Sequence, residues 1–190
     1  VFAPLRSPID DIQEELSALP GVRCRLERCP VSKRDFLPCV VRRMSPGGRR
    51  QDGNVHMDTV VPGSTFSINV YLSVPPGTEG GELVLWPVRK GSLDRFLNAH
   101  FFETIEVQNF YPQHTFYTHD LLASGRIEPI VYRPAAGDVV LIDPAYPHAV
   151  RDFEGPADLR RISLQTFVQV SRRGSGSGAG ASEVQLEYAV

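Results

Sequence analysis

The apolar positions of the first twenty residues recur at helical spacing. Ile9, Ile12, Leu16 and Leu19 fall on one stripe of the segment PIDDIQEELSAL, residues 8–19. Ser7 is a fitting N-cap, Pro8 suits a first turn, and Asp10 and Asp11 sit where the helix dipole favours negative charge. Pro20-Gly21 ends the run. A helix is expected over 8–19. After it the period shortens. Segments 36–44, 55–61, 65–74, 81–86, 129–133, 138–142, 148–153 and 161–170 are short and rich in Val, Ile, Thr and aromatics. Pro- and Gly-rich turns separate them, as at Pro62-Gly63, Pro75-Pro76-Gly77 and Pro134-Ala135-Ala136-Gly137. Strands of this length and punctuation predict a mainly β fold, a two-sheet sandwich or jelly roll with an N-terminal helix.

Residues 87–128 interrupt that rhythm. Two short helices are expected there, over 93–102 and 114–123, around the aromatic stretch Phe110-Tyr111-Pro112. An insertion of this length between strands is usually functional or disordered, and its aromatic content argues against disorder. Residues 171–182, SRRGSGSGAGAS, have linker composition, and 183–190 would be a short docked segment. The organisation expected is therefore a single domain over 1–170, followed by a Gly/Ser-rich tail, 171–190.

Composition narrows the classes. A chain of 190 residues, 42% hydrophobic and 22% charged, has the make-up of one ordinary globular domain. The net charge is −2, and no patch of Lys or Arg interleaved with aromatics is present, so a nucleic-acid partner lacks electrostatic support. The cysteines, Cys24, Cys29 and Cys39, are odd in number and form no CxxC pair. That argues against a disulfide framework or a cysteine zinc site, and a reducing cytoplasm fits best. No apolar run is long enough for a membrane span, and no signal peptide reads from the sequence.

The candidate chemistry begins at His56-Met57-Asp58. Residues i and i+2 of a strand point to one face, so one strand can aim an imidazole and a carboxylate at one point. His148, from a distant strand, would supply a third ligand. Two His and one carboxylate on one face of an octahedral ion form a facial triad that leaves three positions open. This set suits Fe(II), and would also hold Mn, Co, Ni or Zn. Alone, HxD is a weak signal: at average usage a given His has an acid two places on roughly one time in nine.

What accompanies the motif is more specific. The segments GNVHMDT (53–59), NVYLSVPPGTEGGELVLWP (69–87) and AGDVVLIDPAYPHAVRDF…RRISLQTF (136–167) occur in a fixed order. With them, residues 36–170 resemble the 2-oxoglutarate/Fe(II)-dependent dioxygenase superfamily, in particular its prolyl-hydroxylase-like branch. The resemblance implies a double-stranded β-helix and Fe(II) held by His56, Asp58 and His148, with 2-oxoglutarate and O2 as co-substrates. It places Arg161 on the distal carboxylate of 2-oxoglutarate, since a guanidinium offers a bidentate partner, and Tyr71 beside it. Asn69 and Ser163 become candidates for the metal-bound carboxylate. Arg160, on the opposite strand face, reads as a solvated charge. In the related halogenases the Asp58 position is Gly or Ala, so a carboxylate there implies hydroxylation.

The function expected is oxidation of an unactivated C–H bond in a small molecule, a free amino acid or secondary metabolite, with 87–128 as lid. The alternatives are a prolyl-type hydroxylase of protein side chains, a cupin-like metal-binding module without turnover, and a Zn or Ni hydrolase. Arg161 argues against the cupin-like module, and the lack of a general base beside HxD against the hydrolase. His100, His114 and His119 read as surface or packing residues, with a substrate role open for His114 and His119. Trp86 reads equally as core or as a substrate platform. Arg42 and Arg43 read as solvated charges, with a substrate-carboxylate anchor as the other reading. A homodimer stays open.

Overall fold

The computed structural model describes residues 5–20, 22–26, 33, 39–47, 55–58, 65–77, 79–88, 122, 127–172 and 182–187. The expected helix over 93–102, nearly all of that over 114–123, His100, His114, His119 and Cys29 lie outside them.

Helix α1 spans Pro8–Ala18, one residue short of expectation. Its start is a closed capping box: the Ser7 hydroxyl accepts from the Asp10 amide (3.3 Å), and the Asp10 carboxylate accepts from the Ser7 amide (2.8 Å). Ile9 is fully buried, while Leu19, expected on the same stripe, is 51% exposed past the end of the helix.

Among the described residues nine strands follow: β1 (Val22–Leu26), β2 (Val40–Met44), β3 (Thr65–Ser73), β4 (Leu83–Leu85), β5 (Ile130–Tyr132), β6 (Val139–Ile142), β7 (His148–Val150), β8 (Arg161–Arg172) and β9 (Ser182–Glu187). The larger sheet has the order β1-β9-β8-β3-β6. Strand β2 pairs with the first half of β8, along the edge that β9 occupies further on. All its pairs are antiparallel except β1 with β9. The smaller sheet is β5-β4-β7, antiparallel throughout. Residues 55–58 flank it through an antiparallel bridge, His56 to His148; the rest of the strand expected over 55–61 lies outside the described residues. Two strands are additions to the expected set. One is β1, and the other is β9, where only a docked segment was foreseen. Strand β8 also runs to Arg172, two residues into the expected tail.

Alternation along β3 and β8 explains how these sheets stack. Ile68, Val70, Leu164 and Val168 face outward and form a core with Ile9 of α1, joined by Ile12, Leu16, Val22, Cys24 and Cys39. The intervening residues, among them Asn69, Tyr71, Arg161, Ser163 and Gln165, face a cavity between the two sheets. The smaller sheet alternates in the same way. Val55, Val84, Trp86 and Ala149 form a second core with Val88 and Leu122 on its outer side, while His56, Leu83, His148 and Val150 line the cavity. The result is two mostly antiparallel sheets, consistent with a jelly roll, each with an apolar core on its outer face and the cavity on its inner one.

The loops that hold the sheets in register carry the Gly and Asp of the motifs. Gly80 has φ +91°, and a Cβ there would lie 1.9 Å from the Asp152 carbonyl oxygen, so only glycine fits. The Asp138 carboxylate accepts from the Ala135 amide (2.6 Å) and the Tyr132 hydroxyl (2.7 Å), closing the turn before β6. Glu82, buried at the start of β4, pairs with Arg133 just past β5.

Candidate metal centre

His56 and His148 face each other across the bridge. Each amide donates to the other's carbonyl, at 3.0 and 2.9 Å, and the ring centroids are 4.3 Å apart. Asp58, two residues along, returns to the same face. Its amide donates to the Pro144 carbonyl (3.0 Å), which fixes the chain after His56. Asp58 Oδ1 lies 3.9 Å from His56 Nε2, and Oδ2 lies 3.7 Å from His148 Nε2. One ligand atom from each of the three residues falls within 4.8 Å of the others.

The turn before β7 prepares His148. Its Nδ1 lies 2.9 Å from the Tyr146 carbonyl, which can only accept, so Nδ1 carries the proton and the Nε2 lone pair faces Asp58. Burial, with His56 and the Arg42 guanidinium acting in the same direction, drives the His148 pKa down to about 3 against the pull of that carbonyl. The imidazole is therefore neutral, the form that binds a metal. Burial also raises the Asp58 pKa, while His56 and Arg42 act to lower it. Asp58 Oδ2 is buried with no hydrogen-bond donor among the described residues. A carboxylate oxygen without a donor, faced by a neutral imidazole nitrogen, is costly unless a cation satisfies both. The donor set thus fits a divalent metal ion.

A second group of residues shares the cavity. Arg161 is 4% exposed, its guanidinium stacks 4.9 Å from the Tyr71 ring centroid, and its Nη1 lies 3.0 Å from Met44 Sδ. Its Nε is buried with no partner. Burial lowers the Arg161 pKa and Tyr71 raises it; a guanidinium nonetheless keeps its charge. Burial raises the Tyr71 pKa, which Arg161 acts to lower. No carboxylate among the described residues pairs with Arg161, so the cavity holds a buried cation with donors to spare.

The residues expected to hold the metal and the co-substrate all fall on this cavity or on the triad at its wall. His56, Asn69, Tyr71, His148, Arg161 and Ser163 line it, and Asp58 completes the triad. Asn69 Nδ2 and Gln165 Nε2 both donate to the Ser67 hydroxyl, at 3.3 and 3.2 Å. Gln165 and Met44, which the sequence does not single out, also line the cavity, as does Arg42, for which the sequence offers a solvated charge or a substrate-carboxylate anchor. The signal for Gln165 was the same alternation that selected Arg161 and Ser163. Arg160 instead donates to the Ala157 and Leu159 carbonyls, off the cavity. Trp86 belongs to the core behind the smaller sheet. Of the insertion, Val88, Leu122 and Ile127 pack into that same core, on the face away from the triad.

No family model and no curated protein matches the chain. Solved structures do. An N-substituted L-amino acid dioxygenase from Burkholderia ambifaria AMMD matches with a TM-score of 0.54 and 15% identity, over 87% of this chain and 58% of that one. A structure of an N-substituted L-amino acid dioxygenase from the same organism, in complex with alpha-KG (2-oxoglutarate), matches with a TM-score of 0.52 and 13% identity, again over 87% and 58%. This chain spans less than two thirds of the length of both neighbours, and at these identities the likeness is one of fold.

Proposed function

We propose that this chain is a 2-oxoglutarate- and Fe(II)-dependent dioxygenase that hydroxylates a C–H bond of a small molecule. The observation that carries the reading is the buried guanidinium of Arg161, stacked on Tyr71 in the same cavity as the His-Asp-His triad. A metal-binding module without turnover has no use for a cation buried at that cost, whereas a dicarboxylate co-substrate would pair with it. The strand order, with β2-β8-β3-β6 on one side and residues 55–58 next to β7-β4-β5 on the other, supports reading the fold as a double-stranded β-helix. The prolyl-hydroxylase-like assignment rests on the motif order alone.

In this reading His56, Asp58 and His148 hold the metal, and Arg161 with the Tyr71 hydroxyl holds the distal carboxylate of 2-oxoglutarate. Ser163 and Asn69, on the same inner face, would be the residues to meet the other end. When bound, Fe(II) and 2-oxoglutarate supply the oxidising chemistry, coupling O2 reduction to release of CO2 and succinate. The chain's own work is positioning. The Tyr146 carbonyl keeps His148 in one tautomer, the inner strand faces would orient the co-substrate, and the two outer cores hold the sheets that carry them. Asp58 occupies a metal position, which favours hydroxylation over halide transfer. The solved neighbours act on N-substituted amino acids by name, which supports a small substrate of amino-acid type.

Calorimetry of 2-oxoglutarate into Fe(II)-loaded protein under anaerobic conditions tests this, followed by succinate release in air. Binding is expected in the native protein and about 100-fold weaker in Arg161→Gln, equivalent to about 2.7 kcal/mol. Absence of binding to the metal-loaded protein, or equal binding by Arg161→Gln, sinks the reading.

A further inference from the structure

We infer that Arg42 is the specificity residue of this site, and that it anchors the carboxylate of an acidic, monoanionic substrate beside the metal. The inference rests on the reading above and deepens it. Register places the side chain. Arg42 pairs with Ser163 and Met44 with Arg161, and all four line the same cavity. Val41, one residue before, is 51% exposed on the opposite face of β2, and Arg43 falls on that face too.

Arg42 differs from Arg161 in three ways. It is solvent-exposed where Arg161 is buried, so it stands at the open side of the cavity. It makes no hydrogen bond or ion pair with any described residue. It lines the same cavity as His56, His148 and Arg161, and its charge acts on Asp58, His148 and Arg161 alike. A cation there repels Arg161 and any bound metal, so something negative must come to offset it.

The charge inventory says how much. A divalent metal with Asp58 leaves one positive charge, Arg161 adds a second, and 2-oxoglutarate dianion cancels both. Arg42 is then the one uncompensated charge among the described cavity groups, and a single carboxylate on the substrate neutralises it. A planar guanidinium reachable from solvent takes such a group bidentately, which would fix the substrate's orientation over the metal. A neutral or cationic substrate would leave the repulsion in place.

The test uses the whole chain loaded with Mn(II) and saturated with 2-oxoglutarate. Its probe is a fixed set of N-acetyl amino acids and their matched carboxamides. Ligand-observed NMR reads which compounds are broadened by the paramagnetic metal and their dissociation constants. Carboxylates are expected to bind near the metal, and carboxamides to bind about 30-fold more weakly or not at all, equivalent to about 2 kcal/mol. Arg42→Gln should remove that preference while 2-oxoglutarate affinity changes less than threefold. Arg42→Lys should recover part of it, and Arg43→Gln, on the outer face, should keep it whole. The inference is overturned if no carboxylate binds, if carboxamides bind equally, if Arg42→Gln keeps the preference, or if it loses 2-oxoglutarate itself. Failure of the native protein to bind 2-oxoglutarate before any probe is added would instead count against the oxygenase reading.

Discussion

Asp58 meets two opposed demands. As a ligand it must be a bare carboxylate, and as a part of the fold it is a buried one, with Oδ2 lacking any donor among the described residues. Burial raises its pKa above the ordinary value, so the metal-free folded protein resists its ionisation. In metal-free protein Asp58→Asn should therefore stabilise, by about 1 kcal/mol or roughly 2–4 °C in Tm, while metal binding is lost. The sign follows from the raised pKa. Above it the native carboxylate carries the full cost of its buried charge, and below it the proton removes that cost. Thermal unfolding in chelator should show the gain in full at neutral pH and shrinking as the pH falls through the raised value. Gly80 is the opposite kind of position, where no function offsets a change. Alanine there meets the Asp152 carbonyl and a φ of +91°, and should cost about 3 kcal/mol or more. Gly77→Ala, at φ +68° with nothing within 4 Å, should cost only about 1 kcal/mol in the same denaturant titration.

Among the elements, β3 and β8 are the unusual ones. Both faces of each are buried, one by α1 and its apolar core and one by the polar cavity. Their period-two pattern is intact, but its polar half does not mark solvent. Element ends are held by charge. Glu82 ties the start of β4 to Arg133 beyond β5. Burial acts to raise its pKa, but the hydrogen bonds from Arg133 and its own backbone, with the charges of Arg133 and Arg151, bring it below the ordinary 4.5. A carboxyl with a depressed folded pKa stabilises above its unfolded value, and that contribution is lost as pH falls through the folded one. Glu82→Gln should thus have a lower Tm than the native protein at pH 7. The two unfolding curves should converge in acid; a gap that persisted there would mean the pair is not the cause.

At the scale of the whole molecule, the triad rests on the smaller sheet and its flanking residues 55–58, and the facing wall with Arg161 and Ser163 on the first half of β8, which β2 and β3 flank. The second half of β8 is flanked by β9, and β9 is the strand against which β1 pairs. Truncation after Arg172 should leave an open β8 edge and an unpaired β1, giving a lower Tm and concentration-dependent association in size-exclusion chromatography. Metal stoichiometry should survive in the soluble fraction. Its loss would show that the far end of the larger sheet supports the site.

The amino-acid sequence by itself determined the local devices: the capped helix from Ser7 and the spacing of Ile9, Ile12 and Leu16, the positions of seven strands to within a few residues, and the convergence of His56 and Asp58 through strand alternation. These depend on neighbours a few residues away, where stereochemistry leaves few choices. It did not determine β1, whose alternation, Val22-Cys24-Leu26, is too short to stand without a partner more than 150 residues distant, or β9, whose Val184-Leu186 follows a Gly/Ser-rich segment and pairs back on β8. Nor did it determine that Arg42 faces inward, that Gln165 shares the wall with Arg161, or that Trp86 and Leu122 lie behind the smaller sheet. Those are consequences of pairing register. Whether a charge is solvated or set against another charge is decided by which strand arrives opposite, and only the tertiary structure brings that strand.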